Sequence, residues 1–318
     1  MAKTAFLFPG QGAQYVGMGQ SLYETYSEAR DRIEAANAVL GFDLHALMFG
    51  TADVDDADAA LTATEVTQPA LYTHSLAAMA VLDAQQATPD MVAGHSLGEY
   101  SALAAAGALS FEDGLRLVRR RGELMAEAGT RRPGTMAAVL GADDEDVEAA
   151  CTAATEMGEG VVQPANFNAP GQIVISGDVD AVQRATDHID ARTIPLSVSG
   201  AFHSPLMDYA REGLAEALES VDIQPPRCPI YLNVTAAPTT DPDEIRQRLI
   251  DQLQAPVRWA QLLRAMETDG AERFIEVGAG SVLQGLVKRT LGRDAVRHGV
   301  DTADDCAKLL DAGVLPAS

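Results

Sequence analysis

The sequence predicts a mixed α/β protein in which a large part built on a buried parallel sheet carries a small inserted α+β part, and three observations carry that prediction. Over the first 128 residues, short apolar runs alternate with Ala- and Leu-rich helical stretches, the pattern of a parallel sheet covered by helices. Between 129 and 198 the rhythm becomes strand, helix, strand, strand, helix, strand. Beyond 198 the first pattern returns, so the middle segment reads as an insertion.

Each element has a local reason. KTAFLF and MVAG are short, apolar and bounded by glycine, as buried strands are. ALYTHSLAAMAVLDA, GEYSALAAAGAL and FEDGLRLVRRRGELMAEAG have helix-forming composition. In the middle, TMAAVLG, GVVQPANFN, GQIVISG and ARTIPLSVSG read as strands, with DDEDVEAACTAATEM and DVDAVQRATDHID as helices between them; that order is the ferredoxin-like unit. Helix SPLMDYAREGLAEALES, strand PIYLNV, helix IRQRLIDQLQA and strand RFIEVG follow. The expected division is a discontinuous large domain over 1–128 and 199–318, a small domain over 129–198, and a cleft between them.

With 318 residues and 47% hydrophobic content, the chain can bury a sizeable core. No export signal or apolar run long enough to span a bilayer stands out, and Cys151, Cys228 and Cys306 are widely spaced, so reduced thiols, a cytoplasmic setting and no metal site are expected. Acidic residues number 46 against 23 basic ones, a net charge of −23 that disfavours nucleic acid as a partner. Adaptation to a salt-rich cytoplasm and a plain arginine-biased acidic protein both account for that charge.

FPGQGAQYVGMG raises the question of what its glycine-rich loop holds. The dinucleotide fingerprint fails at Tyr15, and the phosphate-cradling P-loop fails at Met18 and Gly19. A better clue is GHSLG, in which Gly94, Ser96 and Gly98 stand between a predicted strand and a predicted helix, the setting of a nucleophile elbow and of an α/β-hydrolase-like large domain. The alternative is that Ser96 caps the helix. As base, His203 in SGAFHSP is preferred to His95, because it is expected at a strand end just before a helix begins at Ser204 and Pro205, whereas His95 should point away from its neighbour Ser96. Arg121 completes the apolar stripe of Leu117 and Leu124, so its guanidinium faces inward, toward an internal carboxylate or that of a substrate. If serine attacks an acyl group, the oxyanion needs two N–H donors; Leu97 supplies one, and Gln11 in the glycine-rich loop is the candidate for the other. A plain tight turn is the alternative for that loop.

Together FPGQGAQYVGMG, GHSLGEYSALAAAGALS, RGELMAEAG, GAFHSPLM, NVTA, QLQAPVRW and FIEVGAG resemble the malonyl-CoA:acyl carrier protein transacylases of fatty acid synthesis and the related acyltransferase domains of polyketide synthases. The resemblance covers essentially the whole chain. It implies that Ser96 carries malonyl as an ester, that His203 is the base oriented by the backbone carbonyl of Gln252, that Gln11 and Leu97 form the oxyanion hole, and that Arg121 binds the malonyl carboxylate. It also implies malonyl-CoA and acyl carrier protein as substrates, with no cofactor, and bulk at Phe202 that excludes an α-methyl group. A basic run holding Lys288 and Arg289 is the expected docking face for the acidic carrier. A serine esterase or thioesterase, or a trans-acting polyketide synthase acyltransferase, are the alternatives. Because the chain runs from just before its first strand to shortly after its last predicted helix, a free-standing enzyme is expected over an excised synthase domain.

Overall fold

In the first strand, β1 (Lys3–Phe8), side chains alternate between two apolar surroundings: Phe6 and Phe8 enter one core cluster, Ala5 and Leu7 another. A strand that is apolar on both faces belongs in the middle of a covered sheet. The computed structural model describes residues 2–311, so 312–318 of the expected large-domain segment lie outside the described residues.

The further strands are β2 (Met91–Gly94), β3 (Thr135–Leu140), β4 (Val162–Ala169), β5 (Gln172–Gly177), β6 (Arg192–Pro195), β7 (Ile230–Tyr231), β8 (Pro238–Thr239), β9 (Ala271–Val277) and β10 (Val296–Val300). They form two sheets. One has the order β10-β9-β1-β2-β7-β8, parallel except for the β7–β8 pair. The other has the order β4-β5-β3-β6 and is antiparallel throughout. A third core cluster, with Val139, Val147, Ile173 and Ile175, packs its face against the helices Asp144–Glu156 and Val179–His188.

Register then positions the functional loops. Phe8 pairs with Gly94 in the parallel β1–β2 ladder, so the chain leaves both strands side by side at their C-terminal ends, where α/β sites form. The two exits touch: His95 N–H donates to Phe8 O at 2.9 Å, and a Cβ on Gly10 would come within 2.3 Å of His95 O. The second sheet reaches the same region through β4, since Phe167 N–H donates to Val257 O and Val257 N–H to Ala165 O, each at 2.9 Å.

Three local readings are corrected. PIYLNV is a strand only at Ile230–Tyr231, after which the chain turns and Asn233 drops beneath the elbow. ARTIPLSVSG is extended only over Arg192–Pro195, so His203 stands in a loop instead of at a strand end. The run VKRTLGRDAVRHG, in which the sequence reading has no strand, divides between the end of the helix Val282–Leu291 and β10. The helix Phe111–Arg131 continues without a break through residue 128.

Candidate active site

Ser96 has φ 50, in the left-handed region that a non-glycine residue rarely adopts. The flanking glycines make the turn possible. A Cβ on Gly94 would lie 1.9 Å from the Gly98 carbonyl group, and one on Gly98 would lie 2.1 Å from Phe8 O. The turn is held from below by Asn233, whose Oδ1 accepts from Ser96 N–H at 2.7 Å while its Nδ2 donates to Gly94 O at 2.7 Å. Glu99 in turn accepts from Asn233 N–H at 2.8 Å. Burial pushes the Glu99 carboxyl up to about 8, so near neutral pH it is largely protonated.

The Ser96 hydroxyl meets two groups. His203 Nε2 lies 2.8 Å from Ser96 Oγ, and Arg121 Nη2 donates to the same oxygen at 3.1 Å. His203 Nδ1 lies 2.8 Å from the backbone carbonyl of Gln252, which can only accept, so Nδ1 holds the ring proton and Nε2 is the acceptor for the serine. His203 also has positive φ, 57, and its own carbonyl accepts from Gln163 Nε2 at 2.8 Å, a donor shared with Gln254 O. Burial first, then the Arg121 charge, pushes the imidazole down to about 3, so in the empty site it is neutral.

Arg121 is 1% exposed, inward as the helical spacing predicts. Nη1 donates to Gln68 Oε1 at 2.7 Å, Nη2 also donates to Gln252 Oε1 at 3.0 Å, and Nε is buried with no partner. These acceptors are amides and a hydroxyl. The guanidinium forms no ion pair with a carboxylate among the described residues; the buried Glu99 carboxyl and Tyr100, whose ring centroid is 5.6 Å away, are its nearest electrostatic neighbours, and its Nε–Nη2 edge has the shape of a carboxylate fork.

Around this centre, Gln11 anchors its side chain through Thr64 Oγ1, which donates to Gln11 Oε1 at 3.0 Å. Since the Ser96 N–H is taken by Asn233, the next elbow N–H is that of Leu97. His95 turns aside, with Nε2 2.8 Å from Asn168 Oδ1 and its ring 5.2 Å from that of Trp259. A cavity of about 400 Å³ opens between the two sheets, lined by Gln11, His95, Asn168, Val198 and Leu286 among others. Phe202, buried beside His203, belongs to the large core cluster. Lys288 and Arg289 stand apart from the centre, with Arg289 hydrogen-bonded to the turn at Pro170, Gly171 and Gln172. Gln68, Thr64, Gln163 and Asn233 escape a reading of the sequence, because a buried amide or hydroxyl follows no periodicity; NVTA, which holds Asn233, was their only flag.

Chemically, a serine hydroxyl on a neutral, oriented imidazole is arranged as a nucleophile would be, and a buried cation that forms no ion pair is able to receive an anionic group. The acyl transferase domain family matches residues 5–308. A malonyl CoA-acyl carrier protein transacylase of Bacillus subtilis is 46% identical over 293 residues, 91% of this chain and 90% of that protein. The crystal structure of MCAT from Streptococcus pneumoniae superposes with a TM-score of 0.90 at 44% identity, covering 98% of this chain and 100% of that one. A malonyl-transacylase solved in complex with its type II PKS acyl-carrier protein gives a TM-score of 0.91 at 36% identity, covering 98% of this chain and 100% of that one.

Proposed function

On the premise that the chain belongs to the acyl transferase domain family, we propose that it transfers malonyl from malonyl-CoA to the phosphopantetheine thiol of acyl carrier protein through an ester on Ser96. The observation that carries this reading is the shared oxygen: Ser96 Oγ lies between the neutral His203 and Arg121, which forms no ion pair among the described residues.

The steps follow from that geometry. Arg121 takes the free malonyl carboxylate, and His203 Nε2 accepts the Ser96 proton as Oγ attacks the thioester carbonyl. Gln11 and Leu97 N–H groups receive the oxyanion. Collapse breaks the carbon–sulfur bond, and CoA leaves as a thiol with the proton from the imidazolium. The carrier's thiol then gives its proton to His203 and attacks the ester carbonyl; collapse breaks the ester C–O bond, and the imidazolium returns the proton to Ser96 Oγ, with no cofactor taking part. The cavity between the sheets, walled toward the elbow by Gln11 and His95, has a mainly apolar lining with a few amides that suits a pantetheine arm.

Finer features of the proposal rest on separate supports. The α/β-hydrolase-like description of the large domain, over 1–128 and 199–318, is supported by the elbow between parallel strands; a ferredoxin-like insertion over 129–198 is supported by the strand order β4-β5-β3-β6. Phe202 supplies bulk against an α-methyl group, worth about 1–3 kcal/mol. Lys288 and Arg289 meet the acidic carrier. A cytoplasmic setting is supported by three free cysteines, and a role in fatty acid synthesis by the transacylases the chain resembles. No helix among the described residues is long and apolar enough to cross a membrane.

Intact-protein mass after brief incubation with malonyl-CoA tests the reading. The expected result is a malonyl adduct that is absent in Ser96→Ala and discharged by holo acyl carrier protein. An adduct discharged by water alone would make the centre a hydrolase instead.

A further inference from the structure

Arg121 does not end at Gln68. Gln68 Nε2 donates to Thr64 Oγ1 at 3.1 Å, and Thr64 Oγ1 donates to Gln11 Oε1 at 3.0 Å. The four side chains form one hydrogen-bonded chain from the cation to the glycine-rich loop, and Arg121, Gln68 and Thr64 in it are buried.

The chain has a direction, and Arg121 sets it. A guanidinium only donates, so Gln68 must present its oxygen to Arg121 and its NH₂ to Thr64. Thr64, accepting from Gln68, spends its single proton on Gln11. Gln11 must then present its oxygen to Thr64, which fixes the side chain of the residue whose N–H the proposed mechanism uses for the oxyanion. Flipping the Gln68 amide would set its NH₂ against the guanidinium, and flipping the Gln11 amide would take from the Thr64 proton its acceptor; in the buried part of the chain an unmade hydrogen bond is expensive. Backbone packing holds the two helices in the required proximity: at Gly122, next to Arg121, a Cβ would lie 2.8 Å from both Thr64 O and Glu65 Cα.

We infer that Gln68 and Thr64 are positioning residues of the acyl transfer, a one-way relay by which the carboxylate-binding Arg121 orients the Gln11 loop that stabilises the oxyanion. The inference rests on the transacylase reading. Recognition of the acyl group's charged end and stabilisation of its reacting carbonyl are therefore mechanically joined, in a substrate where the two lie one methylene apart.

Thr64→Val removes the hydroxyl at nearly constant shape, and Thr64→Ser keeps it. Formation of the malonyl adduct in the wild-type chain by rapid-quench mass measurement tests the underlying reading separately. Given that adduct, Thr64→Val is expected to slow acylation about tenfold while malonyl-CoA KM stays within about twofold, because one oxyanion donor is misaligned and not deleted. Thr64→Ser is expected to recover most of the rate. With acetyl-CoA, which lacks the carboxylate, the penalty of Thr64→Val should shrink by roughly threefold or more in an Arg121→Ala background, where nothing dictates the amide orientation. A wild-type rate in Thr64→Val, a serine variant no faster than the valine one, or an additive cycle would each overturn the relay. Full adduct at long incubation verifies that every variant compared is folded.

Discussion

Replacing Arg121 with alanine separates two roles that the geometry combines. The substrate carboxylate would use the Nε–Nη2 edge, so the variant loses two charge-assisted hydrogen bonds at about 1.5–3 kcal/mol each. Some of that gain is already committed in the empty site, because Nη2 gives up Ser96 Oγ and Gln252 Oε1 to receive the ligand. The net is near the lower bound, about 3 kcal/mol, or about a hundredfold in kcat/KM for malonyl-CoA. Acetyl-CoA has no carboxylate to lose, so its kcat/KM should hold or rise. A second signature comes from the base. The Arg121 charge is, after burial, the main cause that holds the His203 imidazole down at about 3, so its removal moves the acid limb of the acetyl-transfer pH profile upward. Burial remains, which keeps the limb below the ordinary histidine value of 6.5. Steady-state kinetics on both thioesters between pH 4 and 8 reads both effects. Equal losses for malonyl and acetyl, with an unmoved acid limb, would refute carboxylate recognition and leave Arg121 a purely structural residue.

Two further outcomes are expected. Glu99, raised from its ordinary 4.5 to about 8, holds a proton in the folded chain over a range where the unfolded chain has lost it, so wild-type stability should fall as pH rises through that window. Glu99→Gln should flatten that slope and be the more stable protein above pH 8 by an amount on the order of a few kcal/mol, read from urea unfolding at several pH values; parallel slopes would contradict it. Charge reversal at Lys288 and Arg289 should raise KM for acyl carrier protein several-fold without altering adduct formation from malonyl-CoA, because the proposed docking face serves only the second half-reaction. An equal effect on both half-reactions would exclude docking there.

What the sequence discloses here divides by physical cause. The elbow is legible because steric exclusion acts within five consecutive residues: Gly94 and Gly98 cannot carry side chains, and Ser96 is left between them. Arg121 is legible because a helix has a period, and a cation on the apolar stripe breaks it. Gln68 sits on the helix Thr64–Ala84, which is buried on nearly every side and so has no polar face against which an inward amide would stand out. His203 reads as the end of a strand because its segment is rich in Ser, Val and Leu, yet Gly200 and the positive φ at His203 make a loop there. β10 is missed because its Arg297 and His298 interrupt an apolar pattern at the sheet's outer edge. The paired roles of Gln252, carbonyl toward His203 and amide between Ser96 O and Arg121, depend on contacts 49, 156 and 131 residues away, which no local pattern encodes.

Those separations also govern when chemistry becomes available during synthesis. The chain leaves the ribosome N-terminus first, and its elbow is complete once residue 98 has emerged. The serine's partner lies 107 residues beyond it, and the carbonyl that sets that partner's tautomer a further 49 residues on. Until residue 252 has emerged and docked, the nascent chain holds an isolated alcohol with the ordinary reluctance of serine to react. Chain order therefore delays assembly of the complete serine–histidine pair until most of the chain has been made.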